Sequence, residues 1–229
     1  MHPLDNVIWH ALTTRQAHFA EIFEQARRFV REVGPLGAFA EPSASGYESL
    51  AGLVETGDTV GLFLDVPYES RPGWSFVVGA PLLQMVCENG IAPSGPHSTP
   101  EIIELSQHDS AEMIALTALT KPGPFSTRTH ELGAYLGIRD SGRLVAMAGE
   151  RLKVPGFTEI SAVCTHPEHT GKSYARLLMS KIIDCIRARG ETPFLHVRQD
   201  NTRAVAVYEL LGFRARKLLH FAVLRRTQL

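Results

Sequence analysis

The chain lacks the features that would mark a nucleic-acid binder, a membrane protein or a disulfide-stapled secreted domain. Lys plus Arg number 23 against 24 Asp plus Glu, for a net charge of -1. So even a balance gives no general field for nucleic acid or an anionic membrane, and no basic helix makes up for it. No apolar run approaches the ~18 residues of a membrane-spanning helix. The opening MHPLDNVIWHALTTRQ has no basic stretch leading into an apolar one. The three cysteines, Cys87, Cys164 and Cys185, form no CxxC pair, and each lies in an apolar run. That is the pattern of buried thiols in a reducing compartment, so a cytoplasmic protein is expected. Internal repeats and low-complexity tracts are absent. No metal is expected: His166 and His169 flank Pro167-Glu168, but nothing nearby completes a zinc site.

What is present is 229 residues at 44% hydrophobic, enough for one large domain or two small ones. NGIAPSGPHSTP, 89–100, is rich in Gly and Pro and has no apolar period. It divides the chain into an N-terminal accessory region (1–90), a linker (91–100) and a C-terminal domain (101–229). Before it, Ile8, Leu12, Phe19, Ile22, Phe23, Ala26 and Phe29 predict one or two helices over 8–33. TVGLFLDV and WSFVVGAPLLQMVCE read as strands, the second interrupted at Pro81. After the linker, EIIELS is a candidate strand and HDSAEMIALTALT a helix capped at Asp109 or Ser110. A hairpin turning at Asp-Ser-Gly, the strand FTEISAVCT, a helix over 172–189, the strand PFLHV, the helix NTRAVAVYELLG and a final strand or strand pair follow. The tally predicts an α/β (α+β) fold on a mixed sheet.

The stretch VCTHPEHTGKSYARLLM runs from a strand through small residues straight into a helix. The start of a helix exposes unpaired N–H groups and about half a positive charge, which suits phosphate. It is not a Walker loop, because His166 stands where glycine would be needed, and Gly-x-Gly-x-x-Gly is absent. An ordinary β-turn-α joint with a good N-cap remains the alternative. One strand later comes Asn201, Ala204, Tyr208, Gly212 and Phe213, an NxxAxxxYxxxGF pattern with Asn at an N-cap position and Gly at C′.

Together these two patterns resemble the GNAT superfamily of acyl-CoA-dependent N-acyltransferases, over about residues 101–229. The resemblance implies a sheet whose central strands are splayed by a bulge, with the pantetheine arm of acetyl-CoA lying between them. It also implies pyrophosphate on the family's Gln/Arg-x-x-Gly-x-Gly/Ala loop, here Thr170, Gly171, Lys172, Ser173, Tyr174 and Ala175, with the amides running on to Arg176. Thr170 stands for the usual Gln or Arg and Ser173 for the usual Gly. The implied activity is acetyl (acyl) transfer from acetyl-CoA to a primary amine of a small molecule or peptide, by direct attack in a ternary complex. Backbone N–H groups of Val163, Cys164 and Thr165 would stabilise the oxyanion, Asn201 would bond the pantetheine, and Tyr208 would be the acid for the leaving thiolate. Glu159 is the expected base, with Glu150 the second choice. In the family the acceptor is lined by the first helices and their loop, here LTKPGPFSTRTHELG, where Phe125, Arg128 and His130 are candidates. Residues 1–90 could then be a degenerate second GNAT-like copy, and the protein a monomer or homodimer. The competing expectation is a catalytically weak, CoA-binding regulatory module.

Overall fold

The computed structural model describes residues 2–88 and 100–228. The elements before the expected linker are α1 (Val7–Thr13), β1 (Ala20–Phe23), β2 (Ala26–Phe29), β3 (Gly37–Phe39), α2 (Ala44–Ala51), β4 (Thr59–Leu64) and β5 (Trp74–Val86). After it come β6 (Ile103–Leu105), α3 (Ser110–Thr120), β7 (Tyr135–Asp140), β8 (Arg143–Val154), β9 (Phe157–Thr165), α4 (Tyr174–Ala188), β10 (Thr192–Arg198), α5 (Thr202–Leu210) and β11 (Arg214–Arg226). The expected linker itself lies outside the described residues, apart from Pro100.

Eight strands form one mixed sheet in the order β4-β11-β5-β10-β9-β8-β7-β6. All neighbours are antiparallel except β9 and β10. Strand β5, from the first ninety residues, lies between β10 and β11, so both parts of the chain build the same sheet. Pro81 does not break β5. Its carbonyl accepts from the Gln199 N–H at 3.0 Å, so its N–H-less side faces β10 just where β10 leaves the sheet.

One face of the sheet carries α4, whose Leu178, Met179, Ile182 and Ile186 pack on Ile138, Val145, Leu195, Val197 and Phe213. The lower part of the other face is covered by α1 and the small sheet β1-β2-β3. There Leu4, Ile8, Leu12 and Phe29 meet Leu152, Val154 and Phe194. The upper part is covered by α3, through Met113 and Leu116 against Met147 and Cys164. Burying apolar side chains at roughly 25 cal/mol per Å² is what holds these layers together.

The helices expected over 8–33 are one helix and a hairpin. After α1 the chain forms β1 and β2, joined at Glu24, whose φ is 45°. Ile22 and Phe23 are exposed while Ala26 and Phe29 are buried, so the apparent helical period never shared one face. The expected β7–β8 hairpin is present. Ser141 and Gly142 both have positive φ, 51° and 81°, as a tight turn between right-twisted strands requires.

Candidate active site

The site begins where β9 and β10 part. They pair only at Thr192–Phe157, Pro193–Thr158 and Phe194–Glu159. Above that point β10 stays with β5, through Arg198–Leu82, while β9 stays with β8. The register of β9 against β8 slips between Met147 and Gly149, opposite Ala162, whose φ is 53°. This is a β-bulge: one extra residue bends the strand away from its neighbour. The result is an opening flanked by Ile160–Thr165 on one side and Leu195–Arg198 on the other.

Val163, on the splayed half of β9, packs on the same core as Leu195, Tyr174 and Tyr208. Cys164 faces the opposite cluster under α3, and burial pushes its thiol up to about 11, so it is not a thiolate near neutrality. Tyr208 on α5 is half-buried, and burial raises its hydroxyl to about 12. It therefore keeps its proton throughout the neutral range. Its helix is built as the sequence implies. The Asn201 side chain accepts from the Ala204 N–H at 3.2 Å, Gly212 takes φ 90°, and Phe213 anchors the exit in the core.

At the start of α4, Gly171 and Ser173 have φ 82° and 61°. Alternating such residues turns successive N–H groups toward one point, a nest for an anion. Among the described residues, no hydrogen bond is made by the main-chain N–H groups of Gly171, Lys172, Ser173, Tyr174, Ala175 or Arg176. The Ser173 side chain provides no cap. The first residue to bond back is Leu177, to the Ser173 carbonyl. Thr170 contributes less than expected, because its hydroxyl is taken by the Pro167 carbonyl at 3.0 Å. Lys172 stands 3.7 Å from Asp140 and 3.4 Å from His169. The left-handed backbone at Ser173 explains why this position favours glycine.

Glu159 is placed differently from a solvent-reaching base. It sits at the last β9–β10 rung and is fully buried. Arg151 grips both its oxygens at 2.8 and 2.7 Å, and His196 Nδ1 lies 2.7 Å away. Burial pushes its carboxyl toward the neutral form, but the Arg151 guanidinium, with His196 beside it, overcomes that and holds the pKa at about 2. Glu150 is also enclosed. It pairs with Lys153 at 2.9 Å and Arg189 at 2.6 Å, and these partners hold it below its ordinary range against burial. The sequence showed the carboxylates but not these partners: Arg151 and His196 reach Glu159 from the strands on either side, while Glu150 meets Lys153 further along its own strand and Arg189 at the end of α4.

In the acceptor loop, Phe125 packs edge-on against Tyr135 at 5.7 Å. Arg128 is already forked onto Glu131, with two contacts of 2.8 Å, leaving less of it for a substrate carboxylate. His130 Nδ1 is buried and without a partner. Tyr135, which sequence reading passed over, also has a buried hydroxyl with no partner.

His166, Glu168 and His169 bring ligand atoms within 4.8 Å of one another. Arg143 meets His166 Nε2 at 2.6 Å and Lys172 stands beside His169, so two cations already oppose a metal there. Two surface hollows, one beside His2 and Arg214 and one beside Arg31 and Asp58, are not lined by the opening or the α4 loop. No described helix is long and apolar enough to cross a membrane.

These features agree with comparisons to known proteins. A family model described as FR47-like protein matches residues 135–221. A GNAT-family crystal structure from Novosphingobium aromaticivorans is 37% identical, covers 100% of both chains and superposes with a TM-score of 0.91. The N-alpha-acetyltransferase RimI of Mycobacterium tuberculosis is 35% identical over 99 residues, 40% of this chain and 61% of RimI. The match therefore spans less than two thirds of that curated relative. A GCN5-related N-acetyltransferase from Kribbella flavida, 16% identical over 97% of this chain and 93% of its own, shares the fold with a TM-score of 0.61. The chain belongs to the GNAT superfamily of acyl-CoA N-acyltransferases.

Proposed function

We propose that this protein transfers an acetyl group from acetyl-CoA to a primary amine, within a ternary complex. The observation that carries the reading is the run of six unpartnered N–H groups from Gly171 to Arg176 beside the opening between β9 and β10. Diphosphate would sit on those groups, where the helix dipole adds to their attraction. The pantetheine arm would lie between the strands, and main-chain N–H groups of Val163 to Thr165 would face the developing oxyanion.

Tyr208 has the protonated hydroxyl that a leaving thiolate needs. A phenol near 12 giving its proton outright to a thiolate whose conjugate thiol has reference pKa ~8.5 is uphill by about 3.5 units, or roughly 5 kcal/mol. Its contribution is therefore a hydrogen bond to the sulfur, with the proton supplied finally by solvent.

The same arithmetic narrows the acceptor. Glu159, held at about 2, has almost no affinity for the proton of an ammonium, and Glu150 is ion-paired. Glu159 is better suited to fixing the point at which the strands part. An enzyme without a free carboxylate base works best on amines already neutral. A lysine-like amine is about one part in 10³ neutral near pH 7, whereas an α-amine of pKa ~7.8 is about one part in seven. The proposed acceptor is therefore an α-amine, of a peptide or a small amino compound, consistent with the similarity to RimI.

The second reading, a weak CoA-binding module, is motivated by Thr170, whose hydroxyl is committed to Pro167. Calorimetric titration with acetyl-CoA, followed by thiol release across peptides with free N-termini and lysine-like amines, separates the two. Binding with thiol release on α-amines supports the enzyme, binding without release on any amine supports the module, and no binding sinks both.

A further inference from the structure

Tyr135 stands on β7 in one row with Gly149 on β8 and Ser161 on β9. Its ring lies over Gly149: a Cβ there would come within 2.2 Å of ring Cδ1 and 2.3 Å of Cε1. The side chain thus crosses β8 toward β9, about one strand spacing of 4.8 Å. Ser161 is the next β9 residue above Glu159 on that face, and Glu159 is the last rung shared with β10. The hydroxyl therefore points along this row toward β9, the strand that borders the opening. Its charged neighbours are Arg151, Glu159 and Glu150.

That hydroxyl is enclosed and makes no hydrogen bond. A buried hydroxyl without a partner destabilises the fold, and phenylalanine would fill the same space without that cost. Nothing in the packing needs the oxygen, because the ring alone makes the contacts with Gly149 and Phe125. Burial also keeps the phenol neutral, so it can both donate and accept.

We infer that Tyr135 is an acceptor-positioning residue, whose hydroxyl oxygen takes an N–H of the incoming amine where Ser161 borders the opening. This rests on the acetyl-transfer reading. A neutral amine must keep its lone pair for the thioester carbon, so an N–H donated to Tyr135 fixes the lone pair's direction without consuming it. Phe125, on the loop between α3 and β7, covers the ring, and the entering acceptor takes its place.

The test is Tyr135→Phe, assayed by thiol release with acetyl-CoA and the best amine found for the wild-type protein, alongside thermal melting. The expected result is a loss of about 10- to 100-fold in kcat/KM for the amine, with a raised amine KM, an unchanged KM for acetyl-CoA and a Tm equal to or above wild type. An unchanged kcat/KM in an active wild-type background overturns this inference alone. A Tm lowered by several degrees reveals an internal partner for the oxygen and overturns it as well. A wild-type protein that binds acetyl-CoA but releases no thiol with any amine overturns the acetyl-transfer reading, and this inference with it.

Discussion

The two halves of β9 are made of similar residues and behave in opposite ways. From Phe157 to Glu159 the strand is bonded on both sides and closed by the Arg151–Glu159–His196 group. From Ile160 to Thr165 it keeps only β8, and a bulge at Ala162 turns it from β10. A buried ion pair is a poor source of net stability, because desolvation offsets most of the attraction. It is a precise way to end a zipper, however, since it tolerates one geometry. The closed half sets where the open half begins, and the open half is where the proposed chemistry lies.

The largest expected effect comes from breaking the closed half. Glu159→Gln leaves the Arg151 guanidinium buried and unmatched, and should destabilise the protein by about 3–5 kcal/mol in denaturant titration. Arg151→Met with Glu159→Gln should recover much of that loss, since removing both charges also removes the mismatch. A double mutant no more stable than the single would refute this account of the group.

Breaking the open half should change turnover instead. Tyr208→Phe is expected to lower kcat by about 10²-fold while leaving acetyl-CoA affinity as it was. Equal turnover would remove Tyr208 from the reaction.

Acid separates the halves in a third way. The Glu159 carboxyl goes from an ordinary 4.5 when unfolded to about 2 when folded. Its contribution is thus complete above about pH 4.5 and is lost as pH falls toward 2. Stability measured over that window should decline more steeply in the wild type than in Glu159→Gln, and parallel curves would contradict the assignment.

The smallest effect concerns the α4 loop. Ser173→Gly relieves a left-handed serine and should add up to about 1 kcal/mol of stability, with unchanged or tighter acetyl-CoA binding. A loss of binding would mean that the Ser173 hydroxyl itself contacts the ligand.

Much of this was legible in the sequence where the determinants are local. Asn201 and Gly212 mark the ends of α5 because capping acts within four residues, and Ser141-Gly142 mark the hairpin because only a few residues accept its dihedrals. The α4 loop could be found for the same reason, although Ser173 in place of glycine hid its left-handed backbone. Long-range pairing was not legible. Nothing in WSFVVGAPLLQMVCE says that it lies between two strands more than 100 residues later. Likewise Glu159 carries no mark of Arg151, which reaches it across the β8–β9 ladder just beyond the Glu150–Ile160 pair. The aromatic spacing over 19–29 misled because Phe and Ile serve either period.

Strand β5 has a consequence for how the molecule is made. It is synthesised well before the partners on its two sides, β10 and β11, which lie more than 100 residues further along the chain. Until β10 emerges a nascent chain carries a strand with both edges open, and until β11 emerges one edge stays open, a state inclined to pair with a stranger. Sheet closure in this protein is a late, non-local event, and its refolding should be slow for its size.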